Sequence, residues 1–294
     1  MQKNRAMNGK PLMFRLLEFY GTRLQHRGQW KTHALLRKVL KVDIDHDYEV
    51  ERLRLRWLLN PSDYVEQNLF WLGERDRWDI YHIKRFLRKG AVICDVGANF
   101  GYFSVTLAAF LERDCRVFAF EPNPLTRTRL ERNITLNSLT ETITVVPTAL
   151  SDMGGRSRLT TRKGNSGAAY INNAGEVEIE LTTLDDFVAR NRLSRLDFVK
   201  IDVEGLEVSV LRGGERSLIA HKPVLLVELM PQQLRRAGSS PSELVSHLRR
   251  LGYSVYVHKR DVLVPLKKLP GESDVVNVLC LPMKSDMDMD LKNQ

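Results

Sequence analysis

Ala91-Val92-Ile93-Cys94-Asp95-Val96-Gly97-Ala98-Asn99-Phe100-Gly101-Tyr102-Phe103-Ser104 is the stretch that decides the fold. An apolar run ends in an acid, a glycine turn follows, and Tyr102-Phe103-Ser104-Val105 opens a helical pattern. Buried parallel strands appear in sequence as short continuous apolar runs, so the order here is strand, turn, helix. Gly97 and Gly101 stand where the chain must turn sharply and let a ligand approach the backbone. The free N–H groups at the start of the helix then face the same point as Asp95.

The next apolar run, Arg116-Val117-Phe118-Ala119-Phe120, ends in Glu121-Pro122-Asn123-Pro124. An acid ~20 residues beyond the glycine turn is where a ribose-binding βαβ unit places a carboxylate for the sugar hydroxyls, and Glu121 meets that spacing. A dinucleotide site carries three glycines so that a helix N-terminus can meet a pyrophosphate. Here Asp95 precedes Gly-x-x-x-Gly, and a carboxylate aimed at the turn repels a pyrophosphate. It suits a cationic ligand such as the ammonium and sulfonium of S-adenosylmethionine.

Three blocks, Asp95 to Ser104, Phe120-Glu121-Pro122-Asn123-Pro124 and Lys200-Ile201-Asp202-Val203-Glu204-Gly205, with Leu184-Asp185-Asp186 between the last two, resemble the FkbM family of S-adenosylmethionine-dependent methyltransferases over about residues 70 to 260. The resemblance implies an α/β fold: a class I methyltransferase, Rossmann-like, doubly wound sheet, mostly parallel with a C-terminal antiparallel strand pair, plus an N-terminal helical and β extension. It also implies methylation of a hydroxyl on a small molecule, sugar, glycan or glycolipid. The cofactor-binding candidates are Asp95, Gly97, Asn99, Gly101, Tyr102, Phe103, Glu121, Pro122 and Asn123, with Thr148 and Ala149 at the adenine rim, because the strand before them borders the nucleoside in a doubly wound sheet.

The chain has 294 residues and a formal net charge of +9. That length suits one large domain with appendages. Expected divisions are 1–60, a basic amphipathic leader and β-hairpin; 61–283, the catalytic domain with a β insertion at 151–183; and 284–294, a polar disordered tail. Residues 1–41 hold ten Lys or Arg and one acid, Glu18. The excess charge therefore sits in the leader and the remainder is balanced, which argues against a nucleic-acid-coating protein. Packing on the catalytic domain is the ordinary expectation for the leader, with peripheral contact to an anionic membrane face as the alternative. Cys94, Cys115 and Cys280 lie in apolar runs without metal-ligand spacing and are expected as buried thiols of a cytoplasmic protein.

Along the chain, Asp43-x-Asp45-x-Asp47 is not a calcium loop, because Tyr48 takes the glycine position and Arg54 the final acid position. Val42, Ile44, Tyr48 and Val50, then Leu53, Leu55 and Trp57, alternate as a hairpin does. Helical patterns follow to Leu72 and over Trp78 to Leu87; this second helix leads into the cofactor strand, so Glu74, Asp76 or Asp79 can approach the site, with a solvated face as the favoured expectation. Further strands are expected at Thr142–Val146, Leu196–Val203, Pro223–Glu228, Tyr253–His258 and Val275–Leu281, and helices at Leu125–Asn137 and Ser242–Leu251.

Lys200 lies mid-strand, where an unpaired charge is costly, so it is expected to bond Asp95, Asp202 or Glu228. Alkylation of a hydroxyl needs a proton acceptor, and Asp202, Glu204 and Glu228 all end or follow strands on the cofactor side, with Asp202 the leading candidate. Glu204 also precedes a helix, whose N-terminus its charge would stabilise. Three carboxylates can gather Mg²⁺, though no metal ligand is assigned. His221 and His258 are expected as ordinary surface or strand-end histidines. Amino-directed methyltransferases resemble one another in an Asn/Asp-Pro-Pro-aromatic turn after this strand; the sequence Asp202-Val203-Glu204-Gly205 favours oxygen. The alternatives are an NAD(P)-dependent oxidoreductase, opposed by Asp95, the missing third glycine and the lack of Tyr-x-x-x-Lys, and a non-enzymatic adenosine-ligand-binding or membrane-surface adaptor.

Overall fold

The computed structural model describes residues 12–23, 31–32, 35–36, 38, 46–73, 76–162, 164–172 and 174–283. Most of the basic leader, the Val42–Ile44 part of the expected hairpin, Glu74 and the polar tail lie outside the described residues.

Fourteen strands are described, β1 Tyr48–Arg52, β2 Leu55–Leu59, β3 Ala91–Val96, β4 Cys115–Phe120, β5 Ile143–Val146, β6 Thr148–Leu150, β7 Gly155–Thr160, β8 Tyr170–Ile171, β9 Val177–Thr182, β10 Phe198–Ile201, β11 Val224–Leu229, β12 Tyr253–Lys259, β13 Val262–Pro265 and β14 Val276–Pro282. Eight of them form one sheet in the order β13-β12-β14-β11-β10-β3-β4-β5. The run from β11 to β5 is parallel, and β14 enters antiparallel between β11 and β12. The antiparallel ending was legible in sequence; β13, a third antiparallel strand on the outer edge of β12, was not.

Period-two alternation sorts the sheet into two faces. Ile93 and Phe198 join one core cluster with Val105 and Leu130, while Val92, Cys94, Val199 and Ile201 join the other with Val210 and Leu244. Helices cover both faces, which is why β3 is buried at all six positions. All three cysteines are buried and unpaired.

The N-terminal extension belongs to the first of these cores. Leu53 and Arg54, both at positive φ, make the two-residue turn joining β1 to β2. Trp57 is fully buried, its ring 6.0 Å from Phe100 and 6.1 Å from Tyr102, and such burial contributes roughly 2–3 kcal/mol. The Leu12–Arg23 helix docks through buried Leu17 and a Glu18–Arg52 ion pair of 2.6 Å, and Arg52 also donates to the Phe70 carbonyl. The described part of the leader thus packs on the domain. Among the described residues, no helix is long and apolar enough to cross a membrane.

The 151–183 insertion is a small sheet, order β6-β9-β7-β8. β6 corrects one expectation, since Thr148–Leu150 starts this second sheet, parallel to β9, and does not form a free end of β5. The helix expected over Trp78–Leu87 is Arg77–Lys84, following a separate Gln67–Leu72 helix that ends at the left-handed Gly73.

Candidate active site

Strand order reverses between β3 and β10: the chain leaves β3 toward β4 and β5, then returns to lay β10 and β11 on the other side. In open α/β sheets ligands bind at the carboxyl ends of strands flanking such a point. Asp95 and Lys200 are register partners there. The Lys200 ammonium, almost wholly buried, donates to the Gly97 carbonyl at 2.7 Å and lies 3.2 Å from Asp202 and 3.5 Å from Asp95. Burial pulls its pKa down, but the Asp202 and Asp95 charges outweigh that and leave it above the ordinary lysine value. Asp95 also accepts from the backbone N–H of Ser104 at 3.0 Å and its hydroxyl at 2.6 Å, tying the strand to the first turn of the Tyr102–Phe110 helix. Its acid therefore serves protein partners as well as the turn.

Both turn glycines adopt positive φ, 78° at Gly97 and 95° at Gly101. What crowds them is protein. A Cβ at Gly97 would collide with the main-chain oxygen of Asp202, and one at Gly101 would lie 2.6 Å from Leu130. Glycine is needed here to let β10 and the Pro124–Leu136 helix close on the turn.

Glu121 directly follows β4 and is buried, and its carboxylate accepts from the backbone N–H groups of Asn99 and Asn123, each at 2.9 Å. Burial raises its pKa to about 7 against the pull of those two amides. Asn99, at φ 51°, accepts from the Phe100 N–H. Asn123 caps the Pro124–Leu136 helix through the Leu125 N–H, while the Pro122 carbonyl accepts from Arg127. The remaining candidates diverge. Phe103 stays at the site, its ring 5.4 Å from the Lys200 ammonium, whereas Tyr102 turns into the core against Trp57. Ala149 packs with Leu159 and Ile179 inside the small sheet, and the Thr148 hydroxyl is buried without a partner. Thr148 is half-buried and Ala149 buried.

The helix-stabilising role expected of Glu204 falls to Glu207, whose carboxylate accepts from the N–H groups of Val203 and Gly205 at 3.2 and 3.0 Å. Glu204 instead sits at φ 57°, receives a hydrogen bond from the Gln233 amide, and has its pKa raised to about 8 by burial and the Asp202 charge. The Glu228 carboxyl is pushed well above the ordinary range, first by burial and then by Asp202, Glu204 and Glu207, and its Oε2 has no partner. Over these groups the insertion folds back: the Ser166 N–H donates to Asp63 at 2.8 Å, and its hydroxyl lies 3.0 Å from Asp63 and 3.2 Å from Asn99.

Lys200, Asp202, Glu228 and Phe103 line a cavity of about 100 Å³ that shares Asp76, Val275 and Asn277 with an outer cleft of about 680 Å³. Of the cleft residues, the sequence marked Asp79 only as one that could approach the site, and it did not mark His258 or Asn277 as site residues. Asp79, expected on a solvated face, is buried and accepts from Asn277 at 2.8 Å; His258, expected as an ordinary strand-end residue, lies 3.3 Å from the same carboxylate. These partners are separated by nearly the whole domain, so no local spacing announces them. Among the described residues, no three His, Cys, Asp or Glu side chains assemble as a metal-binding group.

The parallel run from β11 to β5, with β14 inserted antiparallel between β11 and β12 and with Asp95 and Glu121 at the carboxyl ends of β3 and β4, is the α/β fold of a class I methyltransferase. Residues 95–255 match the Methyltransferase FkbM domain, more than half of the chain, and the protein belongs to that S-adenosylmethionine-dependent methyltransferase family. The chain is 31% identical over 171 residues to the hexuronic acid methyltransferase AglP of Haloferax volcanii, covering 57% of this chain and 65% of that one. It is 28% identical over 265 residues to the AMB antimetabolite synthetase AmbE of Pseudomonas aeruginosa, covering 76% of this chain and 12% of that one. It is 25% identical over 146 residues to the 2-O-methyltransferase NoeI of Sinorhizobium fredii, covering 43% and 58%. Among solved structures, the methyltransferase FkbM of Methylobacillus flagellatus is similar at 18% identity and a TM-score of 0.45, covering 72% of this chain and 52% of that one. The chain thus spans less than two thirds of the length of each of these curated relatives.

The residues present fit the methyl donor. Glu228 Oε2 is buried without a partner, Asp95 Oδ1 has the Lys200 ammonium at 3.5 Å and no hydrogen bond, and the surrounding excess of carboxylates suits an ammonium and a sulfonium. Lys200, the ammonium in their midst, is already committed to Asp95, Asp202 and Gly97 and is poorly placed to bind a pyrophosphate.

Proposed function

We propose that this chain transfers a methyl group from S-adenosylmethionine to a hydroxyl oxygen of a small molecule, sugar or glycolipid, with Asp202 taking the hydroxyl proton. The observation that carries this reading is the Asp202 carboxylate, 31% exposed, paired with Lys200 at the end of β10 and opening into the cavity that continues to the outer cleft. The bound donor supplies an electrophilic methyl on sulfur; the protein must hold the oxygen in line and receive its proton. Of the three candidate carboxylates, Asp202 is 31% exposed and lines the cavity, whereas Glu204 is engaged by the Gln233 amide and lies off the cavity wall. Lys200 keeps Asp202 and Asp95 in place and acts as a positioning residue.

Glu121 in this reading accepts the ribose hydroxyls, and Asp95, Gly97, Asn99 and Gly101 shape the turn beside the donor. Pro122 and Asn123 fix the Glu121 loop, and Phe103 walls the cavity. Thr148 and Ala149 contribute through the backbone. Residues 61–283 would form the catalytic unit, with 1–60 as its extension, 151–183 as a cover and 284–294 as a tail. One relative is named as a 2-O-methyltransferase and another as a hexuronic acid methyltransferase, which supports an oxygen target and a sugar acceptor.

The test is transfer of a radiolabelled methyl group to a panel of alcohols and glycosides by wild type and Asp202→Asn. General-base removal costs about 10²–10⁴-fold in kcat. A loss in that range, with S-adenosylhomocysteine affinity kept, supports the role; unchanged kcat on a transferred acceptor refutes it.

A further inference from the structure

We propose that the outer cleft, between the Arg77–Lys84 helix and the β12–β14 edge, receives the acceptor as a neutral polyhydroxylated ring of glycoside size, with Asp79, His258 and Asn277 holding its hydroxyls. This rests on the methyl-transfer reading above, because it names what lies on the acceptor side of Asp202.

The first argument is continuity. Asp76, Val275 and Asn277 belong to both cavities, so a molecule seated in the outer cleft can extend one group past Asn277 to the Asp202 carboxylate. The cleft, at about 680 Å³, is of small-molecule size and leaves room for a ring with an aglycone.

The second is the construction of the polar wall. Asp79 is only 6% exposed, on a helix whose other side is solvated, and it gathers Asn277 from β14 at 2.8 Å and His258 from β12 at 3.3 Å. The charged and titratable neighbours of His258 are Asp79 and Asp76 across the cleft and the stacked ring of His82, 5.9 Å away, whose Nε2 is engaged by the Arg260 carbonyl. On its own sheet His258 faces Leu263 of β13. A buried acid that fixes an imidazole and an amide at a cavity wall presents donors and acceptors in planar geometry, which is what ring hydroxyls require. Gln67 and Asn68 add amides opposite, and Trp78 adds an aromatic surface for the C–H face of a ring.

The third is charge. Asp76, Asp79, Asp202 and Glu228 line the continuous path, against Arg77, whose guanidinium lies 5.1 Å from the Trp78 ring centroid, Lys200, already held between Asp95 and Asp202, and the His258 imidazole, which Asp79 draws toward its protonated form. An acceptor bearing a carboxylate or phosphate meets like charges along this wall, whereas neutral hydroxyls meet acceptors. The chain should therefore differ from its hexuronate-directed relative in preferring an uncharged ring.

The experiment uses the full chain saturated with S-adenosylhomocysteine. Methyl α-D-glucopyranoside, methyl α-D-mannopyranoside, methyl α-L-fucopyranoside and methyl β-D-glucuronide are titrated while the His258 Cε1–H resonance is followed by NMR. The expected result is that a neutral glycoside shifts that resonance and binds at least about fivefold more tightly than the glucuronide. His258→Gln and Asn277→Ala should each weaken glycoside binding about tenfold, with S-adenosylhomocysteine affinity within about twofold of wild type, which also certifies that the variants are folded. The inference is overturned if no neutral glycoside binds the loaded protein, if the glucuronide binds more tightly, or if both variants bind the glycoside as wild type does. Failure of wild type to bind S-adenosylhomocysteine would overturn the methyl-transfer reading itself, a result distinct from all of these.

Discussion

The main-chain oxygen of Asp202 occupies the space that a Cβ on Gly97 would need. The turn after β3 and the end of β10 are thereby locked at the distance of a bare backbone, and the same contact sets where the Asp202 side chain leaves the strand. Gly97→Ala must both strain a φ of 78° and push β10 away. It should cost at least about 3 kcal/mol by chemical denaturation, since backbone cannot yield as a side chain does. A loss under about 1 kcal/mol would show that the turn is soft.

Lys200 joins Asp95 to Asp202, and Asp95 is 1% exposed. Lys200→Met leaves that carboxylate with Ser104 as its remaining side-chain partner, and breaking a buried pair costs ~3–5 kcal/mol. Adding Asp95→Asn should restore part of the loss, because the uncompensated charge goes with it. Denaturation of the two single variants and the double variant gives the coupling; strict additivity would rule out a buried ion pair.

Glu121 predicts two pH effects of opposite sign. Its pKa in the fold is raised to about 7 from the ordinary 4.5, so the folded protein without ligand binds the proton more readily than the unfolded chain. The associated stability is complete below about 4.5 and is lost as pH climbs to about 7. Ionised Glu121 is the better acceptor for ribose hydroxyls, so the stabilisation produced by S-adenosylhomocysteine should grow over that same interval. Comparing Glu121→Gln with wild type by thermal melts across the window isolates both effects, and parallel curves would mean that Glu121 does not titrate there.

Ser166 ties the insertion to Asp63 and Asn99 across more than 60 positions of sequence. Ser166→Ala removes the hydroxyl and keeps the backbone bond, a loss of about 1 kcal/mol. Hydrogen exchange over residues 164–172 should accelerate while the β3 amides stay protected. Equal exchange in both proteins would mean that the strap is held by the backbone alone.

The cofactor half of this site was legible because its signals are local. β3, β4 and β10 are buried parallel strands and so read as apolar runs, while Glu121 keeps a fixed spacing from the glycine turn because one helix separates them. Lys200 was legible as a buried charge in need of a carboxylate. Asp79 was not, since an acid on a helix carries no mark of burial until Asn277 arrives from 198 positions away. Glu204 and Glu207 share one short segment, and only the backbone reversal at Glu204 decides which carboxylate turns back to the N–H groups of Val203 and Gly205. β13 is four residues at an edge, too short for a periodic signal. Thr148–Leu150 reads as the tail of β5 because its pairing with β9 depends on the geometry of the insertion.

In the proposed site, the carboxyl ends of β3 and β4 hold the adenosine and homocysteine parts of the methyl donor, with Glu121 on the ribose. Calorimetric titration of wild type and Glu121→Ala with S-adenosylhomocysteine, beside NAD⁺, tests it most directly. The expected result is binding of S-adenosylhomocysteine, none of NAD⁺, and a loss of about 100-fold in the variant, the worth of two charge-assisted hydrogen bonds. Binding of NAD⁺, or S-adenosylhomocysteine affinity untouched by removal of the Glu121 carboxylate, would contradict it.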